Sequence, residues 1–131
     1  MDTAGAATAP FGLSTIGQIA LSVTDISRAI GFYRDTLGMK LLFQVPNLGF
    51  FDCGGVRLML SGSQQAGTSA TVLYFKVADI HQAFATLQAR NVSIERAPQL
   101  TARMPDHELW MAFFRDPDGN LLALMSELPL T

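Results

Sequence analysis

The chain is poor in cysteine, tryptophan and charge: one Cys, one Trp and 15% Asp, Glu, Lys and Arg in 131 residues. Each scarcity excludes something. The lone Cys53 cannot close an internal disulfide, and a zinc ribbon is out of reach, so a reducing compartment is expected. Nine Lys and Arg against eleven Asp and Glu give a formal charge of −2, with no basic run of the kind phosphate backbones require. Nucleic acid is therefore not an expected partner. No apolar run approaches the roughly 20 residues of a bilayer span. The N-terminus also lacks the basic and apolar regions of a signal peptide, so the expectation is a cytoplasmic protein without a membrane partner.

What is present is enough apolar material, 49% of residues, to build one core. Residues 1–14 have no consistent period and read as a loose tail, leaving 15–131 as a single domain. Ile19 to Val23 alternates like a strand with one buried face. Asp25 then stands as a helix N-cap before Ile26, Ala29, Ile30, Tyr33 and Leu37 at helical spacing, with Gly38 placed to end the helix. Three short strand-like runs follow, divided by Pro46-Asn47 and Gly54-Gly55.

The pattern then repeats. Shifting by 54 residues places Val23 on Val77, Asp25 on Asp79, Ile26 on Ile80 and Ala29 on Ala83. Near the end, Leu58-Met59-Leu60 matches Leu122-Ala123-Leu124 at a larger shift, which puts an insertion around residues 99–108. It reads as a long loop of the kind that carries ligand contacts. The fold class is α+β: tandem β-α-β-β-β modules, about 15–62 and 70–127, forming a curled, cup-like mixed eight-stranded sheet with helices outside.

Two phrases sharpen this. Phe32-Tyr33-Arg34-Asp35-Thr36-Leu37-Gly38-Met39 follows the first strand, and Phe114-Arg115-Asp116-Pro117-Asp118-Gly119-Asn120 precedes the last. With the duplication, they resemble the vicinal-oxygen-chelate superfamily, which includes glyoxalase I, bleomycin and fosfomycin resistance proteins, and extradiol dioxygenases. The resemblance implies a cup whose floor holds one divalent metal in the enzymes of the group. It assigns the ligand positions to Gln18, Met59, Val72 and Ala123, of which only Gln18 offers a nitrogen or oxygen donor. A divalent ion needs three or four imidazole or carboxylate ligands, so no metal cofactor is expected. His107 with Glu108, or Asp52, would have to build any relocated site.

Strand parity lists what lines the cup instead. If Leu21, Leu58, Leu60, Phe75, Leu122 and Leu124 face the helices, then Gln18, Ser22, Arg57, Met59, Val72, Tyr74, Lys76 and Ala123 face the hollow, with Trp110 added from an aromatic strand. That face is apolar with a few polar points, as small-molecule sites are. Arg57 and Lys76 favour an anionic or carbonyl-bearing ligand. Tyr74 and His107 are the acid–base candidates, since a phenol can donate a proton and imidazoles titrate near neutrality. The glycine pairs precede no helix and make no phosphate cradle.

Two functions are thus expected to compete. One is a metal-free module binding a small apolar molecule, anionic ones included. The other is a lyase, isomerase or dioxygenase using relocated metal ligands or Tyr74 and His107. Because open cups of this kind are often completed by a second chain, a homodimer is expected with either.

Overall fold

In the computed structural model, residues 11–67 and 70–130 are described. Most of the expected tail lies outside them, and residues 11–17 run exposed and without regular structure. β1 (Gln18–Val23) leads to Asp25, whose carboxylate accepts the Arg28 amide at 3.1 Å and opens α1 (Ile26–Gly31). The helix then widens into a π-helical stretch, Phe32–Thr36, where the Leu37 amide reaches the Phe32 carbonyl. Gly38, at φ +76°, supplies the left-handed residue that ends it. β2 (Lys40–Val45), β3 (Leu48–Cys53) and β4 (Val56–Gly62) complete the first module.

The second module repeats the order. β5 (Leu73–Lys76) is followed by α2 (Ile80–Ala89), with Asp79 accepting the Gln82 amide at 3.0 Å. β6 (Ser93–Arg103), β7 (His107–Arg115) and β8 (Leu121–Pro129) follow. The strands form two mixed four-stranded sheets, β1-β4-β3-β2 and β5-β8-β7-β6, each with one parallel pair, β1 with β4 and β5 with β8. The insertion at 99–108 is not the free loop expected. Leu100 pairs with Trp110 and Arg103 with Glu108, so the extra residues lengthen the β6–β7 hairpin. A run of alternating polar residues looks like loop by composition, yet it pairs because an antiparallel partner lies beside it.

One core joins both modules. Leu21, Phe51, Leu58 and Leu60 from the first sheet, Phe114, Leu122 and Leu124 from the second, and Ile30, Tyr33, Ile80 and Leu87 from the helical segments are all buried. Each such side chain contributes about 1.5–3 kcal/mol on leaving water. Gly49 lets α1 pack close on the sheet, since a Cβ there would lie 2.9 Å from Ile30 Cδ1 and Cγ1 and force that buried side chain to shift.

The modules are held together by the turn Asp116-Pro117-Asp118-Gly119-Asn120. The buried Asp116 carboxylate accepts from the Tyr33 hydroxyl at 2.8 Å, from Asn120 Nδ2 at 2.8 Å, and from the amides of Asp118 and Asn120. Asp118 Oδ1 accepts from the Thr24 amide and hydroxyl and from Arg28 Nη2. Asn120 Nδ2 also donates to the Ser22 carbonyl at 2.9 Å. Burial, and then the neighbouring Asp116 charge, push the Tyr33 hydroxyl far above its ordinary pKa and keep it a donor.

Candidate functional site

The face of each sheet turned from its helix is built by parity, and the register shows how. In the first module Met59 pairs with Ala20 on one side and Phe50 on the other, and Arg57 pairs with Gln18. Gln18 and Met59 meet as expected: Gln18 Nε2 points at the Met59 sulfur at 3.7 Å, while Gln18 Oε1 accepts from Arg57 Nε at 2.8 Å. The Arg57 guanidinium lies 5.5 Å from the centre of the Phe50 ring, and Phe50 stacks on Phe43 at 4.4 Å. Phe43 is 47% exposed, so this stacked pair is open to a ligand.

The second module carries a counterpart. Phe113 pairs with Ala123, which pairs with Tyr74. The Tyr74 and Phe113 rings meet edge to face at 6.0 Å, and the Arg96 guanidinium lies 5.3 Å from the Phe113 ring centre. Phe50-Phe51 and Phe113-Phe114 occupy equivalent strands of the two modules, so duplication has placed one ring under one guanidinium in each. Among the described residues neither Arg57 nor Arg96 forms an ion pair with a carboxylate, so their charge is available to an anion.

Phe43, Phe50, Arg96 and Phe113 were missed by the sequence reading. The signal that would have found two of them is the repeated Phe-Phe pair. Phe43 and Arg96 are hidden because β2 shifts register between Leu41 and Phe43 and β6 shifts on both sides of Arg96, which breaks the alternation.

Other expected residues fall differently. Trp110 is not on this face: it pairs with Ser126 on the helix-facing side, packs against the core and meets the His81 ring at 5.3 Å. Lys76 is on the face, but its ammonium is held 3.0 Å from Glu127 Oε1. Val72 precedes β5 and lines a cleft of about 300 Å³ between the modules with Ile16, Ile19, Cys53 and Val56. Burial, and then Asp52, push the Cys53 thiol above its ordinary pKa, which disfavours the reactive thiolate. Ser22 is half-buried beside Ser61, and its carbonyl serves the turn described above.

Tyr74 and His107 are not brought together. Tyr74 stands level with Phe113 and His107 opens the same strand six residues earlier, about 20 Å away at ~3.3 Å per residue. His107 Nδ1 lies 2.7 Å from Asp106 Oδ1, and this contact holds the Asp106 carboxyl below its usual range.

The implied metal centre fails on its donors. Gln18 Oε1 is already engaged by Arg57, Met59 offers a thioether, and Val72 and Ala123 offer nothing. Ala123 is fully buried between Tyr74 and Phe113, whose rings touch. A hard divalent ion takes oxygen and imidazole ligands, which are not gathered here. The relocated alternative fails as well: His107 and Glu108 are successive strand residues on opposite faces, and Asp52 accepts the Gly55 amide in the other sheet. Among the described residues no group of three His, Cys, Asp or Glu could hold a metal ion. No described helix is long and apolar enough to cross a membrane.

Residues 15–124 match the model of the Glyoxalase/Bleomycin resistance protein/Dioxygenase superfamily. The chain is 28% identical over 130 residues to an uncharacterized protein, YraH, of Bacillus subtilis, covering 85% of this chain and 97% of that one. It is also 28% identical over 120 residues to metallothiol transferase FosB of Staphylococcus saprophyticus, covering 86% of this chain and 76% of the relative. Among solved structures it is similar to TnmS3, an antibiotic binding protein from Streptomyces sp. CB03234, with a TM-score of 0.72 and 25% identity over 90% of this chain and 99% of that one.

Proposed function

Because the chain belongs to the Glyoxalase/Bleomycin resistance protein/Dioxygenase superfamily, we propose that it is a binding protein of that fold, taking a small, largely apolar, aromatic anion on the face turned from the helices without a metal. The observation that carries this is the paired arrangement of Phe50 under Arg57 and Phe113 under Arg96. Rings stack on a planar ligand and the guanidinium edges hold its charge, the few-polar-points design of small-molecule sites. That no metal donors are gathered among the described residues supports binding over the transferase chemistry named for FosB. TnmS3 shows that the same fold serves an antibiotic binding protein. In the same proposal a second copy of the chain closes the open side of the cup, which equilibrium sedimentation reads directly.

The test is titration of the purified chain with aromatic carboxylates, 2-naphthoate first, followed by calorimetry. Arg57→Ala and Arg96→Ala are each expected to weaken binding about tenfold or more, since a charge-assisted hydrogen bond contributes ~1.5–3 kcal/mol. His81→Ala, on the helix side, is expected to leave it unchanged. Equal losses in all three variants would overturn the reading. So would one tightly held divalent ion per chain in protein purified without chelator.

A further inference from the structure

The helix side of the molecule holds a second cavity, unconnected with the reading above. It is a groove of about 250 Å³ between the modules. Leu37 and Met39, where the π-helical stretch of the first module ends, form one wall, and Ala83 and Leu87 of α2 form the other over a floor that includes Phe75. Leu87 belongs to the core, and Leu37, Met39, Phe75 and Ala83 are partly buried against it, so the groove has an apolar lining continuous with the core. Arg90, which follows α2, stands at the rim.

Arg90 gives the groove its polarity. Its Nη1 donates to the Thr36 carbonyl at 2.7 Å, which fixes the guanidinium across the gap between modules. Among the described residues Nη2 and Nε have no protein acceptor, and no carboxylate pairs with this arginine. The Thr86 hydroxyl, also on the lining, is turned back to the Gln82 carbonyl. An apolar trough is therefore capped by one pinned cation with donors to spare.

We propose that this groove binds a small carboxylate with an apolar body, of the size of a medium-chain fatty acid, its chain along Met39, Phe75 and Leu87 and its carboxylate on Arg90. The volume lies just below the roughly 300–1,000 Å³ of drug-sized sites, which limits the occupant to a short chain. Charge complementarity selects a carboxylate over an alcohol or amine. Since both modules line the groove, the occupant braces one against the other and raises the stability of the folded chain.

The experiment compares octanoate with 1-octanol on the whole chain, by calorimetry and by thermal unfolding. Octanoate is expected to bind about tenfold or more tightly than octanol, and Arg90→Met is expected to abolish that preference while leaving octanol binding in place. Ala83→Phe, which fills the trough, is expected to abolish both, its foldedness being read from its own cooperative melt; Ala83→Val gives partial loss should the larger variant not fold. Arg57→Ala and Arg96→Ala are expected to bind octanoate as the parent does, which separates this site from the cup. The proposal is overturned by no saturable binding at millimolar octanoate, by an octanoate preference that survives Arg90→Met, or by loss of octanoate binding in the cup variants.

Discussion

In the first module β3 and β4 are joined by Gly54-Gly55, both at positive φ, a tight turn that serves only its own hairpin. In the second, the equivalent strands β7 and β8 are joined by Asp116 to Asn120, and the side chains of that turn reach Tyr33, Thr24, Arg28 and Ser22 of the other module. The strand order is the same; the turn chemistry differs. After duplication one turn can remain a local device while its counterpart becomes the contact that joins the halves. Carboxylates buried among backbone amides make that possible, because each unmet partner would be costly.

The comparison breaks most visibly at Asp116. Asp116→Ala strips acceptors from the Tyr33 hydroxyl, Asn120 and two amides, and since each buried donor left unmet costs ~1–3 kcal/mol it is expected to lower stability by about 3–5 kcal/mol in urea titration. Asp52→Ala, beside the corresponding turn, removes one exposed contact to the Gly55 amide and is expected to change stability by less than ~0.5 kcal/mol. Similar losses at both positions would show that the two turns do equal work.

Tyr33 tests the same contact from the other module. Its folded-state pKa is raised, so the native chain keeps the phenolic proton while the unfolded chain releases it above about pH 10. The unfolded state then binds fewer protons, and stability falls as pH rises beyond that point, by up to ~1.4 kcal/mol per unit. Tyr33→Phe is expected to cost about 1–3 kcal/mol at neutral pH, by leaving Asp116 one donor short, and to flatten the alkaline decline. Urea midpoints measured from pH 7 to 11 check both; an undiminished slope in the variant would place the alkaline transition elsewhere.

The fold was legible in the sequence wherever local rules act alone. Asp25 and Asp79 are recognisable as caps, Gly38 as a stop, and Leu58 and Leu60 as buried by alternation, because each depends on its own neighbours. The face turned from the helices was legible where strands are regular: Gln18, Arg57, Met59, Tyr74 and Ala123 all fall on it. It was not legible on β2 and β6, whose bulges reset the parity and concealed Phe43 and Arg96. Trp110 was misplaced for a related reason, since an aromatic run such as Trp110, Phe113 and Phe114 contains both faces and hydrophobicity cannot separate them. The roles of Asp116 and Asn120 depend on partners some 80 to 100 residues away, which no local pattern encodes.

An effect as small as that of Asp52→Ala is expected at the other point where the modules diverge, the longer β6–β7 hairpin. Near its tip Arg103 Nη2 meets Glu108 Oε2 at 2.7 Å, closer than the 3.0 Å ion pair of Arg28 with Asp118 in the inter-module turn. Length is a poor guide to energy here, because the Arg103 side chain is 67% exposed and water screens the attraction. The extension is carried instead by its ladder, which continues from Gln99 with Met111 to Arg103 with Glu108. Arg103→Ala is therefore expected to change stability by no more than ~0.5 kcal/mol, in thermal melts at low and high salt alike. A loss above ~1 kcal/mol that disappears in high salt would mean that the second module is anchored by charge at its tip as well as by its turn, and the contrast between the modules would then extend beyond their turns.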